Sequence, residues 1–329
     1  MKNALAADAA ATRKRMDAAN RLINSLSDNK VRWEGQKAGF IQDKTDLIGN
    51  VAKAAAFVCY CGPFNSDFRN KLTADYFQTD LDKREVPSSK KITLTNFLVS
   101  QTQVGEWAME GLPSDDLSIQ NAIMVTKADR FPLMVDPQGQ AQKWIVKREP
   151  SLTENKRLIF TLSVPDLKGA LSLPIENGLP CLIKDIENDI DPLLDPVLEK
   201  QLIKKGRSFK IIIGGQEFDF DANFKLYMTS RMANPAFSPE LFAKATIIDF
   251  TVTQGGLEQQ LLGILIGKIE KQLEEQLSEL QESVTLNNRQ LKEGEEMLLY
   301  KLANAEGSLL DDPSLIDVLA EIKAKSKEV

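Results

Sequence analysis

A hydrophobic seam that advances in alternating steps of four and three residues occurs near both ends of the chain. This spacing is the coiled-coil period, and it predicts a long helix with one apolar stripe in each place. Residues 1–34 contain neither proline nor glycine, and residues 256–306 follow a Gly-Gly pair. The first seam consists of Leu5, Ala9, Thr12, Met16, Ala19, Ile23 and Leu26, and the second of Leu273, Leu277, Leu280, Val284, Asn287, Leu291, Gly294 and Leu298. An alternative for the first helix is that it packs on a globular body.

The stretch between the two seams changes character at about residue 86. Residues 35–85 have helical spacing, with a stop signal at Gly62-Pro63. From 86 to 255, short apolar runs alternate with helical segments such as 139–147 and 165–176, which indicates a layered α/β domain. The predicted strands are 122–126, 133–135, 158–162, 181–183, 209–213, 224–229 and 247–251.

A partial return helix is predicted at the end of the chain. Gly307 and the Asp-Asp-Pro sequence at 311–313 are predicted to end the second long helix. Within 307–329, Leu315, Leu319 and Ile322 share one face of the next helix, which ends without a capping signal. It can cover the second seam near the turn, and we expect the seam at 277–291 to face water.

Composition excludes several classes of protein. Apolar residues make up 43% and charged residues 27% of the sequence, as in ordinary globular proteins. The net charge of −6 gives no basic excess for nucleic acid, and the absence of histidine removes the commonest general base and metal ligand. Neither a signal peptide nor a membrane-spanning run is visible, so no membrane partner is expected. The three cysteines have no zinc spacing and are interpreted as buried, reduced thiols.

The sharpest motif is RFPLMVDPQGQAQKWI at 130–145, an apolar strand, a tight turn and the start of a helix. This is the layout of a phosphate-binding P-loop, whose working pattern is GPxGxGK[ST]. The aligned residues are Asp136, Pro137, Gln138, Gly139, Gln140, Ala141, Gln142 and Lys143. The lysine is lost at Gln142, the metal-binding hydroxyl at Lys143, and the first glycine is replaced by an anion at Asp136. We therefore predict a degenerate nucleotide site; the alternative is a strand-turn-helix that never bound phosphate.

A second strand, LPCLIKDIEND at 179–189, lies where a Walker B strand is expected. The pattern requires Asp-Glu after four apolar residues, but the sequence has Lys184 and then Asp185. A lysine at the metal-holding position opposes a cation. The alternative is a core strand that ends in solvated charges.

These segments resemble dynein heavy chains in the fifth of their six AAA+ modules, and most of all the axonemal outer-arm chains. The matching stretches are RLINSLSDNKVRW, AAFVCYCGPF, GLPSDDLSIQNAIMVTKADRFPLMVDPQGQAQKWI, DIDPLLDPVLEK, ANPAFSPE, IIDFTVTQGGLEQQLLG and LNNRQLKEGEEMLLYKLANAEGSLLDD. They extend from about Thr12 to the C-terminus. The Ala-rich residues 4–11 depart from the charged coiled-coil sequence usual in the family.

The resemblance implies an AAA+ P-loop-like large subdomain, with a parallel sheet between helices, flanked by long coiled-coil helices. Residues 1–34 correspond to the base of the second stalk helix, 35–85 to a helical connector and 86–255 to the large subdomain with its degenerate nucleotide site. Residues 256–306 correspond to the strut, or buttress, and 307–329 to part of its return helix.

The implied function is a noncatalytic module that couples ATP-driven ring movement to the stalk of a microtubule motor. No cofactor is expected in this chain, since ATP and Mg²⁺ belong to other modules of the parent ATPase. Lys244, or alternatively Arg231, corresponds to a finger that reaches the neighbouring module's nucleotide; the alternative for Lys244 is a solvated surface charge. The implied partners are adjacent AAA+ modules, the stalk helix, microtubules through the stalk tip, and dynein light and intermediate chains, in the cytoplasm, cytoskeleton and ciliary or flagellar axoneme. Two other classes remain open, an independent ATP-hydrolysing AAA+ enzyme and a coiled-coil scaffold.

Overall fold

A computed structural model describes residues 2–90, 92–206 and 208–304, and for parts of the first and last helices it describes the backbone alone. The chain divides into two compact units, residues 1–46 with 272–329, and residues 47–271. The predicted return helix at 307–329 and the last two residues of the predicted strut lie outside the described residues.

The helical elements are α1 Lys2–Tyr60, α2 Ser66–Asn70, α3 Gln78–Lys83, α4 Leu94–Leu98, α5 Gln101–Met109, α6 Asp116–Lys127, α7 Gln140–Arg148, α8 Pro150–Glu154, α9 Leu167–Asn177, α10 Asp195–Leu198, α11 Pro239–Lys244, α12 Gln254–Ile269 and α13 Lys271–Ala303. A π-helical segment at Lys71–Phe77 joins α2 to α3, and short 3-10 turns occupy Lys156–Leu158 and Pro192–Leu194. The strands are β1 Pro132–Val135, β2 Ile159–Thr161, β3 Pro180–Lys184, β4 Ile203–Lys205, β5 Ser208–Ile213, β6 Gln216–Phe220, β7 Lys225–Ser230 and β8 Thr246–Asp249.

The first unit contains the beginning of α1 and nearly all of α13. Residues 2–34 are helical as predicted, but the helix continues without interruption to Tyr60, so Gly35 and Gly39 do not end it. In α13, Leu291 is half-buried, so the expectation that the seam at 277–291 faces water is wrong at that position. Leu277, Leu280 and Val284 are exposed, as expected. Their exposure leaves an apolar stripe on α13.

The second unit is built on a five-stranded sheet in the order β2-β3-β7-β1-β8, with every neighbouring pair parallel. β1 lies between β7 and β8, and Val135 at its end is in register with both Ser230 and Asp249. Parallel strands present their carboxyl ends at one edge, and ligands of such sheets bind there, beside the strand where the order reverses. The segment that follows β1 is therefore the place to look for a site.

Both faces of this sheet are buried, which explains why its strands are continuous apolar runs. Leu133 and Val135 pack into one core with Ile183 and Met228, while Met134 packs into the other. The second core also contains Trp107, Trp144, the end of α1 through Phe57 and Val58, and Cys61, which follows α1. Residues 47–60 thus belong to the same compact unit as the sheet.

A second, antiparallel sheet of β4, β5 and β6 lies in the sequence between β3 and β7. The prediction placed 209–213 in the main α/β pattern, whereas it forms the middle strand of this small sheet. β4 and β6 were not predicted, because their residues are mostly charged or exposed.

The other strand predictions at 133–135, 158–162, 181–183, 224–229 and 247–251 are confirmed, but 122–126 is wrong. That run lies in α6, whose N-cap Asp115 accepts a hydrogen bond from the amide of Ser118. α6 is buried over most of its surface, so it lacks the polar stripe that identifies a helix.

Two further expectations need correction. The predicted uninterrupted helix after Gly255-Gly256 breaks at Glu270, which has a non-helical backbone (φ −129°, ψ 63°) between α12 and α13. Cys59 is exposed, whereas Cys61 and Cys181 are buried; all three are free thiols. Among the described helices, none is long and apolar enough to cross a membrane.

Candidate functional site

The candidate site is the turn between β1 and α7 at the carboxyl edge of the sheet. Asp136 extends the strand, since its amide donates to the carbonyl of Ser230 at 2.7 Å. The chain then turns through Pro137 and Gln138 to Gly139, which has a left-handed backbone (φ 72°, ψ 24°) and caps α7. Glycine adopts this conformation without steric cost. The predicted strand, tight turn and helix are all present in the predicted order.

The Asp136 side chain points back into the turn and is 1% exposed. One carboxylate oxygen, Oδ1, accepts from the amide of Gln140 at 2.8 Å, and Oδ2 accepts from the amide of Gln142 at 2.9 Å. Burial raises the pKa of Asp136 above its ordinary value, while the amides of Gln142 and Gln140 act in the opposite direction. Because both oxygens accept from N–H groups, the arrangement suits the ionised carboxylate.

The two other P-loop positions carry no replacement for the lost functions. Gln142, in the lysine position, is half-buried, and Lys143, in the hydroxyl position, is exposed. Neither side chain can act as the hydroxyl ligand that a P-loop provides to Mg²⁺. Ala141 is fully buried in the core beneath the turn.

The glutamine side chains of the turn bind neighbouring segments. Gln138 Oε1 accepts from the amide of Val252 at 3.2 Å, in the connection from β8 to α12. Gln140 Oε1 accepts from Gln260 of α12 at 3.0 Å, and its Nε2 donates to Ser118 of α6 at 3.2 Å. Sequence reasoning missed Val252, Gln260 and Ser118; the glutamines at the two variable positions of the P-loop pattern, Gln138 and Gln140, were the available signal. The turn is thus fixed to the helices on either side of it.

The end of β3 holds the predicted Walker B residues. Lys184 is the last residue of β3 and is half-buried, and Asp185 follows with a positive φ of 57°. Asp185 pairs with Arg231 at 2.9 Å, so the structure brings a predicted Walker B residue together with one of the two candidate fingers. The pair is substantially exposed, which limits its contribution to stability.

Lys244, the other candidate finger, is enclosed by acids. Its ammonium lies 2.5 Å from Glu240, 2.9 Å from Asp195 and 3.5 Å from Glu199, and its side chain is 14% exposed. Hydrogen bonds to Glu240 and Asp195 raise its pKa above the ordinary value. In this chain the charge is therefore neutralised internally, and Lys244 differs from the solvated surface charge considered as its alternative.

Taken with the parallel sheet between helices and the loop after β1, these features define the large α/β domain of an AAA+ protein. Within the described ranges, no group of three or more acidic or cysteine side chains could hold a metal ion. The site of this domain has the strand, turn and helix order of a phosphate-binding loop, with Gln142 and Lys143 in the positions of its lysine and its hydroxyl residue.

Comparison with known proteins identifies the family within that class. A family model described as the ATP-binding dynein motor region matches residues 105–329, and one described as the microtubule-binding stalk of dynein motor matches residues 2–81. The chain belongs to the dynein motor family. The second model covers the amino-terminal helices from residue 2 to 81, which includes most of the predicted stalk base at 1–34 and of the predicted connector at 35–85.

Similar proteins include dynein axonemal heavy chain 8 from Homo sapiens, 45% identical over 98% of this chain. The dynein gamma chain of the flagellar outer arm from Chlamydomonas reinhardtii is 46% identical over 94% of this chain. Dynein axonemal heavy chain 5 from Mus musculus is 42% identical over 100% of this chain. The chain spans 7% of the length of each of these relatives. The resemblance to dynein heavy chains, including an outer-arm chain, is confirmed.

Proposed function

We propose that this chain is the noncatalytic fifth AAA+ module of an axonemal dynein heavy chain, which passes ATP-driven rearrangements of the ring to the stalk through the strut. The observation that carries the proposal is the turn after β1, where Gln142 and Lys143 replace the residues that bind phosphate and Mg²⁺. Asp136 adds a buried carboxyl group among the amides that would receive a phosphate. ATP and Mg²⁺ are then required by other modules of the parent motor and not by this one.

The hydrogen bonds of the turn support a mechanical role. Gln138 and Gln140 connect it to the β8–α12 segment, and α12 leads through Glu270 into α13, the proposed strut. The proposed stalk base is covalently continuous with α1, whose last turn packs in the sheet core through Phe57 and Val58. We call the second unit, residues 47–271, the sheet unit. Two helical connections therefore leave the sheet unit, and a movement of this unit can act on both. Coupling of this kind requires a structural element with two conformations, whose equilibrium is shifted both by the ring and by the stalk.

The proposed partners and location follow from the family. They are the adjacent AAA+ modules and the stalk helix of the same heavy chain, microtubules reached through the stalk tip, and the light and intermediate chains of the complex. The location is the cytoskeleton of cilia or flagella, since the similar proteins are named as axonemal or flagellar chains. The division into stalk base 1–34, connector 35–85, large subdomain 86–255, strut 256–306 and return helix 307–329 is part of the same proposal.

Calorimetric titration of the purified chain with ATP and Mg²⁺ tests the noncatalytic role. We expect no binding at micromolar ATP, because the charges that hold the β- and γ-phosphates are missing. Titration with a mant-labelled nucleotide provides a second, fluorescent readout. Micromolar affinity would instead support an independent ATP-binding enzyme and would refute the proposal.

A further inference from the structure

We infer that the Asp136 carboxylate is a built-in anionic ligand of the β1–α7 turn, which closes the turn to nucleotide by occupying its amide donors. The inference deepens the proposed function and rests on it, since it explains how a site of this backbone shape is kept empty of ATP. It goes beyond the loss of the P-loop lysine, because it assigns a positive role to the residue in the first-glycine position.

The amides of the first turn of a helix have no acceptor within that helix. In a P-loop these amides, together with the positive end of the helix dipole, hold the phosphates of the nucleotide. In this chain the amides of Gln140 and Gln142 both donate to Asp136, at 2.8 and 2.9 Å. Two of the donors that would receive a phosphate are therefore already used.

The geometry distinguishes Asp136 from an ordinary capping residue. Asp115 and Asp166 cap α6 and α9 and accept from amides three residues ahead. Asp136 instead reaches amides four and six residues ahead, across the left-handed Gly139, and is 1% exposed. An added phosphate would have to displace a buried carboxylate and would place a second anion beside it.

Removing the carboxylate is expected to create a site for a small external anion. The test compares the native chain with Asp136→Ala in formate or inorganic phosphate, against chloride at equal ionic strength. Asp166→Ala is the matched control, because it removes an exposed capping carboxylate by the same substitution. Phosphate stabilises many proteins nonspecifically, so the differences between the variants carry the result.

Asp136→Ala should be less stable than the native chain in chloride and should recover selectively in formate or phosphate. At a formate concentration ten times its dissociation constant, the unfolding constant should fall about tenfold. A response of Asp136→Ala equal to that of the native chain and Asp166→Ala would overturn the inference. That outcome would leave the proposed function untouched, because the latter is tested by ATP binding to the native chain.

Two further measurements do not depend on the stability of Asp136→Ala. In the native chain, hydrogen exchange at the amides of Gln140 and Gln142 should be at least about tenfold slower than at Lys168, in the first turn of α9. Exchange at Gln140 and Gln142 as fast as at Lys168 would refute the occupation of these donors. The double variant Gln142→Lys, Lys143→Thr, which keeps Asp136, should not bind mant-ATP; binding by it would also overturn the inference.

Discussion

Arg69 of α2 is expected to be the most sensitive polar side chain in the sheet unit. Its guanidinium is 1% exposed and donates to three backbone carbonyls of the turn that follows α1. Nε donates to Cys61 at 3.0 Å and to Phe64 at 2.8 Å, and Nη2 donates to Gly62 at 2.9 Å. Burial lowers the pKa of Arg69 to about 10, so the side chain keeps its charge at neutral pH.

Replacing Arg69 with alanine removes these three hydrogen bonds and opens a cavity. The carbonyls of Cys61 and Gly62 keep the amides of Phe64 and Asp249 as donors, whereas the carbonyl of Phe64 loses its donor. Each hydrogen bond to a charged group contributes about 1.5–3 kcal/mol, but three bonds to one group are not additive. We therefore expect a loss of about 3–5 kcal/mol, more than one such bond contributes and less than three independent bonds would. With a urea slope of about 3 kcal/mol/M, the unfolding midpoint should fall by roughly 1–1.7 M. The unfolding midpoint of Arg69→Lys should lie between those of the native chain and Arg69→Ala, because lysine keeps the charge but lacks the planar guanidinium group.

The assay is urea unfolding followed by tryptophan fluorescence in a Trp33→Phe background. The remaining tryptophans, Trp107 and Trp144, are both buried in the sheet core, so the signal reports on that unit. Arg84→Ala is the control, since Arg84 is 70% exposed and pairs with Asp80 on the helix surface; it should cost less than about 1 kcal/mol. If Arg69→Ala lies within about 1 kcal/mol of that control, the reasoning is wrong.

Three further predictions use other features of the structure. Gly62→Ala should destabilise the chain by about 1–3 kcal/mol in the same unfolding assay, because the new Cβ would lie 2.2 Å from the carbonyl oxygen of Ile247; an unchanged midpoint would contradict this. Cys59 should be the one thiol that reacts rapidly with Ellman's reagent in the native chain, and Cys59→Ser should abolish the fast phase. In a full-length motor, Lys244→Ala or Arg231→Ala should alter nucleotide turnover in the fourth module if either residue reaches the nucleotide of that module. Unchanged turnover in both variants would refute a role for these residues in the neighbouring site.

Much of the fold could be predicted from the sequence because the spacing of apolar residues and the glycines and prolines that end helices and strands are local signals. The strand at 133–135, the turn at Gly139 and the stop at Gly62-Pro63 depend on residues within a few positions of one another. The strand prediction at 122–126 failed because burial on all sides removed the helical period of α6. The β4–β6 sheet was missed because its exposed residues carry no apolar alternation strong enough to see.

The candidate site was predictable in composition but not in geometry. The sequence shows that Asp136 replaces a glycine, and repulsion of phosphate is the natural expectation. That its carboxylate turns inward to bind the amides of Gln140 and Gln142 depends on the backbone of the turn. The pairing of Arg231 with Asp185, and of Lys244 with Asp195 and Glu199, likewise joins residues distant in sequence. Contacts of this kind have no local signature.

The turn held by Arg69 also covers the outer edge of the sheet. β8 is an edge strand, and the amide of Asp249 donates outward to the carbonyl of Gly62 at 3.0 Å. An uncovered parallel edge offers unpaired amides and carbonyls to other chains, which is a route to aggregation. At the opposite edge, β2 has three residues and offers little backbone for pairing. Loss of the Arg69 anchor should therefore expose β8 before the sheet itself unfolds, and aggregation of such variants should begin from this edge.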